Sequence, residues 1–131
     1  MGDEGKFHRA LDLAGSFIRL KLMFRLLHPT IPSAYVEVDN SAQRNNTLFI
    51  FEGKSNNEQG AAQQLRLRHL SCVMFHNVYV GKGVFVPYAN IRLFYYSFNQ
   101  RVLIEFSSTG ARMNAQKFND VNQLSELLRK L

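Results

Sequence analysis

Cys72 lies between two histidines in the pattern His69-x-x-Cys72-x-x-x-His76, which contains residue types that bind zinc. On a helix all three side chains would share a face, whereas on a strand His69 and His76 would fall on opposite faces. We interpret the segment as strand, and no fourth ligand is evident. The neighbours Val73-Met74-Phe75 are apolar and indicate a buried thiol rather than an activated nucleophile. We therefore predict no metal, no cofactor and no catalytic residue here.

Motifs of the common enzyme classes are absent from the sequence. It has no Gly-x-Ser-x-Gly element, no Walker loop and no paired catalytic acids. Gly81-Lys82-Gly83 is a glycine turn and lacks the remaining residues of a phosphate-binding loop. We predict that the protein is not an enzyme.

Basic residues alternate with apolar ones in two segments. Arg19 and Lys21 lie in the first, and Arg66 and Arg68 in the second, each pair on one face if both segments are strands. On neighbouring strands they would form a basic stripe, and the net charge of +6 favours anionic partners. The alternative is that these are solvated strand faces. We predict an anion-binding site at Arg19, Lys21, Arg66 and Arg68, with phosphate contacts if the partner is a nucleic acid.

Aromatic residues dominate the segment from residue 91 to 98. Phe94, Tyr96 and Phe98 alternate with Leu93 and Tyr95, so both faces of a strand would be apolar. Such a strand needs a cover on each side. The core supplies one, and either the N-terminal helix or a partner supplies the other. We predict a partner-binding site at Phe94, Tyr96 and Phe98.

The elements that position these residues are mainly strands. Phe7 to Ala14 has the spacing of a short helix. Phe17 to Leu27 alternates with a period of two and predicts a long strand, with a helix as the rival interpretation. Further strands are predicted at residues 34–39, 48–52, 64–80 with a bend or break, 84–86, 91–98, 101–106 and 112–118, with polar turns or loops at 40–46 and 53–60.

The C-terminal segment has the signals of an amphipathic helix. Asp120 can cap it, and Gln123 stands three residues later in capping-box register. An apolar stripe of five residues follows, which are Val121, Leu124, Leu127, Leu128 and Leu131. We predict that this helix is buried along its apolar face.

A run of strands followed by a single C-terminal helix resembles the pleckstrin-homology superfold. The stretch Val84-Phe85-Val86-Pro87-Tyr88-Ala89-Asn90-Ile91 is similar to a step in GRAM-like and bacterial members, and Phe118 to Leu131 looks like their last strand and plug helix. The resemblance covers residues 17–131. It implies a mainly β, α+β fold, in which an antiparallel barrel of seven or eight strands is capped by the C-terminal helix. Residues 1–16 would be an N-terminal extension with a short helix, and residues 17–131 a single domain.

Two departures limit what this resemblance implies about ligands. The loop after the first strand is Pro-rich and uncharged, and the chain has no tryptophan where eukaryotic members often carry one in the plug helix. Phosphoinositide binding is therefore not carried over. What the resemblance does imply is an adaptor that binds peptides or other domains.

These observations together predict a non-catalytic protein-interaction domain, an adaptor or scaffold within a larger intracellular assembly. The alternatives are nucleic-acid binding through the basic strand face, and docking on an anionic membrane surface or a phosphoinositide. The sequence does not determine the oligomeric state, and a homo-oligomer is a further alternative. The single cysteine, the absence of a signal peptide and the absence of a long apolar run lead us to expect a protein of the cytoplasm or nucleus.

Overall fold

The computed structural model describes residues 2–25, 35–54, 56–75, 78–80, 84–86 and 90–131. This part of the chain contains three helices and eight strands. The helices are α1 (Asp3–Ala14), α2 (Glu58–Phe75) and α3 (Val121–Arg129). The strands are β1 (Ile18–Arg25), β2 (Tyr35–Arg44), β3 (Thr47–Gly53), β4 (Val78–Val80), β5 (Val84–Val86), β6 (Asn90–Ser97), β7 (Val102–Phe106) and β8 (Arg112–Lys117).

The strands form one open mixed sheet in the order β5-β4-β1-β2-β3-β6-β7-β8. Neighbours pair antiparallel except β3 and β6, which run parallel from Thr47↔Asn90 to Gly53↔Tyr96. The mainly β, α+β class is confirmed. The predicted antiparallel barrel is wrong, because α2 carries the chain from β3 across the sheet and a later strand returns parallel to β3. β5 and β8 end the sheet, and no described pairing joins them.

Each face of the central strands is covered by helices. One face packs against Ala61 and Leu65 of α2, and the other packs against α1 and α3. The strand residues under α2 are Leu48, Ile50, Leu93 and Tyr95, and those under α1 and α3 are Phe49, Phe51, Phe94 and Tyr96. Because alternate residues of a strand point to opposite faces, this arrangement explains why β3 and β6 have no polar face.

The predicted N-terminal helix is confirmed and begins earlier, at Asp3. Phe7, Ala10 and Leu11 of α1 are fully buried against the sheet. The helix is therefore part of the core that residues 17–131 build, rather than an appended extension.

Residues 64–80, where the sequence predicts a strand, are mostly helical, so this prediction is wrong. Residues up to Phe75 belong to α2, and a strand, β4, begins only at Val78. Asn57 caps the helix, since its Oδ1 accepts a hydrogen bond from the Gly60 amide at 2.8 Å. Leu65 and Leu67 alternate with arginines, which is the pattern of a strand with one apolar face. In the helix the two leucines differ, because Leu65 is buried and Leu67 is 45% exposed. Ala61 and Leu65, four residues apart, form the buried helical face.

Other predicted strands and turns agree with the structure in kind and differ at their ends. The period of two after Phe17 is confirmed as β1, and residues 26 and 27 of that prediction lie outside the described residues. The predicted turn at 40–46 is wrong for most of its length, because β2 continues to Arg44 and turns only at Asn45, where φ is 56°. The predicted loop at 53–60 is shorter, since α2 begins at Glu58.

The predicted C-terminal helix is confirmed as α3. The amide of Gln123 donates to Asp120 Oδ1 at 2.8 Å, and the Gln123 side chain accepts from the Asn119 amide at 2.7 Å. Leu124 and Leu128 are fully buried. The helix lies beside α1 on the sheet face instead of plugging a barrel. None of the described helices is both long enough and apolar enough to cross a membrane.

Candidate functional site

The predicted aromatic site lies mostly inside the protein. Phe94 and Tyr96 are 1% and 3% exposed, and Phe98 is half-buried at the edge of the same cluster. Phe7 of α1 stacks on Tyr96 with a centroid separation of 4.0 Å. A partner cannot reach Phe94 or Tyr96, so this site prediction is wrong for both. The reason is that β6 is a central strand and the N-terminal helix supplies its second cover.

The polar end of Tyr96 takes part in a buried hydrogen-bond chain. The amide Nδ2 of Asn40 donates to the phenol oxygen at 2.9 Å, so Asn40 Oδ1 faces His8 and accepts from its Nε2 at 2.7 Å. Burial is the main cause that raises the pKa of Tyr96 above its ordinary value, and the carboxylate of Glu4 adds to it. The phenol therefore stays protonated at neutral pH and acts as a fixed hydrogen-bonding group, not as a base.

A cavity of about 140 Å³ lies beside this chain, at the ends of β3 and β6. Carboxylates from Asp3, Glu4 and Glu52 line it together with Lys54. Lys54 Nζ approaches Glu52 Oε1 at 4.0 Å, so the two charges offset each other in part. The cavity is small and its charges are mixed, and these features select no particular class of ligand.

The predicted basic stripe does not assemble. Arg19 pairs with Ala42, whose side chain faces α1 and α3, and Arg19 contacts Asp12 of α1 at 3.4 Å. Arg66 and Arg68 lie on α2, which covers the opposite face of the sheet. Residues two positions apart in a helix are separated by about 200° around its axis. The side chains of Arg66 and Arg68 therefore point in different directions. The side chain of Lys21 lies outside the described part of the chain.

The histidine–cysteine pattern begins on α2 rather than on a strand. The alternation that separated His69 from His76 therefore does not apply, although the side chain of Cys72 and the whole of His76 lie outside the description. Burial lowers the pKa of His69 below its ordinary value. Among the described side chains, no group of three His, Cys, Asp or Glu residues could hold a metal ion.

Strand β8 has an exposure unlike that of any other strand whose side chains are described throughout. All six of its residues are exposed, so neither face is covered by a helix. Met113 is 62% exposed, a large apolar side chain in water. Arg112 contacts Glu58 of α2 at 3.0 Å. A terminal strand with two open faces has room for another strand beside it.

The register of β8 shows which of its backbone groups point away from β7. The amide of Phe118 donates to the carbonyl of Arg101 at 3.1 Å, which makes Phe118 and Arg101 a hydrogen-bonded pair. Such pairs alternate along an antiparallel ladder, so Gln116 and Asn114 also bond to β7. Ala115 and Lys117 therefore direct their N–H and C=O groups outward, where no described strand receives them.

No family model, curated protein or solved structure matches this chain. The resemblance to the pleckstrin-homology superfold therefore stays a prediction from the sequence, and residues 87–89 of the stretch that carries it lie outside the described residues. The function of this chain is therefore inferred from its own geometry.

The sequence predicts a strand at 112–118 but does not single it out as a candidate site. The signal was present in the composition of β8, because Asn114 and Gln116 alternate with Met113 and Ala115 and neither set is strongly apolar. A strand without an apolar face cannot lie in the middle of a sheet. That it is terminal, with its outer edge open, depends on the topology and was not visible in the sequence.

Proposed function

We propose that this chain is a non-catalytic protein-interaction domain that takes an extended segment of its partner as an added strand along β8. The observation that supports it most is that all six residues of β8 are exposed, together with the outward backbone groups at Ala115 and Lys117. Main-chain hydrogen bonds supply the affinity in this mode of recognition, and alternate side chains supply the specificity.

The sequence of β8 suits a binding edge. Natural proteins protect free edges with proline, lysine or inward charges, with β-bulges or with very short strands. β8 has six residues, its charged residues, Arg112 and Lys117, stand at its two ends, and its pairing with β7 shifts in register at Met113. The four residues between them, Met-Asn-Ala-Gln, are uncharged and contain no proline. The regular part of the strand, from Asn114 to Lys117, is therefore open to pairing.

The nucleic-acid alternative has less support than the sequence indicated. A phosphate-binding surface needs its cations on one side of the molecule. Arg19 and the pair Arg66 and Arg68 lie on opposite sides of the sheet, and Arg19 already contacts Asp12. No observation in the described part of the chain favours this function or membrane docking over strand addition.

The test is an Ala115→Pro variant. Proline removes an outward N–H without breaking a bond to β7, and its ring occupies the place of the added strand. Partner binding should fall by about tenfold or more, because the variant loses an edge donor and gains a clash. Ala115→Thr keeps the N–H and is the matched control, which should bind like the wild type. Circular dichroism and the melting temperature establish that both variants fold.

Hydrogen exchange supplies the direct readout. The amides of Ala115 and Lys117 should exchange rapidly in the free domain and slowly in the complex. If folded Ala115→Pro keeps all its partners, while a variant lacking Arg66 and Arg68 loses co-purifying nucleic acid, the nucleic-acid alternative should replace this proposal.

A further inference from the structure

We infer that Arg44, Thr47 and Arg92 bind a phosphate group on the sheet face that carries α1 and α3. The three residues lie on three neighbouring strands, β2, β3 and β6. They are not the residues that the sequence singles out for anion binding, and none of them belongs to β8. The inference therefore goes beyond the proposed function and is tested separately from it.

The strand register places these three side chains on one face. Arg44 is the register partner of Thr47, and Arg92 is the register partner of Phe49, two residues further along β3. Phe49 faces α1 and α3, and residues two apart on a strand share a face. Thr47 therefore lies between the arginine of β2 and the arginine of β6. Its side chain is half-buried, and its hydroxyl has no hydrogen bond to any described residue.

The two guanidinium groups pack on the same aromatic ring. The Cζ atoms of Arg44 and Arg92 lie 5.2 and 5.5 Å from the ring centroid of Phe49, within the range of a cation–π interaction. The two charges are close enough to interact, since the pKa of Arg44 is lowered first by burial and then by the charge of Arg92. An anion between the two groups would offset both their repulsion and the loss of hydration.

Each guanidinium group keeps hydrogen-bond donors that the protein does not use. Arg92 donates from Nε and Nη2 to Glu105, at 2.9 and 2.8 Å, which leaves Nη1. Arg44 donates from Nη1 to the carbonyls of Leu128 and Arg129, both at 3.4 Å, which leaves Nε and Nη2. Within the described part of the chain, these three nitrogens have no hydrogen-bond partner. The bonds that do form fix both groups in position before a ligand arrives.

The donors and the charge select a phosphate group. Two guanidinium groups and the carboxylate of Glu105 leave one positive charge in excess. A carboxylate ligand has two coplanar oxygens and fits the fork of one arginine. A phosphate group has oxygens in tetrahedral directions, so it can accept from two guanidinium groups and a hydroxyl together. A phosphate ion and a phosphorylated side chain both carry this group.

A titration of the wild-type chain followed by NMR is the direct test. Inorganic phosphate replaces chloride at constant ionic strength, because screening alone alters the interactions of surface charges. The Nε–H signals of Arg44 and Arg92 should shift and saturate. The signal of Arg66 should not, since that side chain is exposed on α2, across the sheet. A second titration with O-phosphoserine distinguishes the sources, because tighter binding of phosphoserine indicates a phosphorylated side chain, and equal or weaker binding indicates free phosphate.

Three variants test the assigned residues. Arg44→Gln should weaken phosphate binding about tenfold or more, because it removes a charged, forked donor. Arg66→Gln is the matched control, which removes the same charge on the other side of the sheet and should bind like the wild type. Thr47→Val has nearly the same shape without the hydroxyl, and should weaken binding about fivefold. Circular dichroism establishes that each variant folds.

The outcomes are decisive for this site. If phosphate up to about 10 mM causes no saturable shift of either arginine signal, the inference is wrong. Equal weakening by Arg44→Gln and Arg66→Gln would show a general attraction to net charge and would also overturn it. Should Arg44→Gln fail to fold, the wild-type titration and Thr47→Val decide. Ala115→Pro should bind phosphate like the wild type, so failure of strand addition and failure of this site are distinguishable.

Discussion

The ring of Tyr96 lies directly over Gly53, where a β-carbon would overlap it. Gly53 is on β3 and Tyr96 on β6, and the two residues are register partners. The absence of a side chain at Gly53 lets the phenol extend across β3 to β2, where it accepts a hydrogen bond from Asn40. A glycine therefore permits a polar contact between two strands that are not neighbours.

Gly53→Ala should destabilise the protein. The added methyl group would have to displace a buried aromatic ring, and overpacking of this kind costs about 1–3 kcal/mol of unfolding free energy. Urea denaturation followed by circular dichroism measures the loss. Gly2→Ala is the control, because nothing lies within 4 Å of a β-carbon at that position. Equal stability of Gly53→Ala and wild type would contradict the observed approach of the ring.

Tyr96→Phe should destabilise the protein by about 1–3 kcal/mol, since it leaves the buried amide of Asn40 without its acceptor. The substitution should also change the response to alkaline pH. The pKa of Tyr96 is raised in the folded protein, so the unfolded chain loses this proton first. Stability should therefore fall as pH rises above about 10, by about 1.4 kcal/mol per pH unit for this group.

The alkaline loss should be smaller in Tyr96→Phe than in the wild type. Tyr95→Phe is the comparison, because burial also raises the pKa of Tyr95 but that side chain binds Lys54 and Gln100 instead of Asn40. Denaturation curves between pH 7 and pH 11 decide the question. An identical pH dependence in Tyr96→Phe and the wild type would show that the phenol ionises normally.

Leu128→Ala in α3 should cost about 2–5 kcal/mol of unfolding free energy, because the side chain is fully buried between α1 and the sheet. Leu127→Ala should cost less, since Leu127 is only half-buried. Leu13→Ala is the exposed control, at 43% exposure, and should change stability little. A Leu128→Ala protein as stable as the control would show that α3 does not contribute to the core.

Protein purified without chelator should contain no stoichiometric zinc. A structural zinc site takes four ligands, and the sequence around His69 and Cys72 offers no fourth. Elemental analysis by mass spectrometry measures the content. One equivalent of zinc that disappears in a Cys72→Ser variant would contradict this prediction, and it would place a metal site at the end of α2.

The sequence by itself determined the elements whose signals are local. Alternation after Phe17 predicted β1, and the Asp120 cap with its leucine stripe predicted α3, because each rests on contacts between residues close in the chain. It also showed that β6 needs two covers. Local pattern failed at α2, where leucine and arginine alternate over four residues while the helical face depends on Ala61 and Leu65.

Only the tertiary structure decided which surfaces are free. The parallel pairing of β3 with β6 places Phe94 and Tyr96 under α1, and so removes them from the surface. The same strand order puts β8 at the end of the sheet and leaves Ala115 and Lys117 with outward backbone groups. Strand order depends on contacts between residues far apart in the chain, and the periodicity of one segment carries no information about its neighbours.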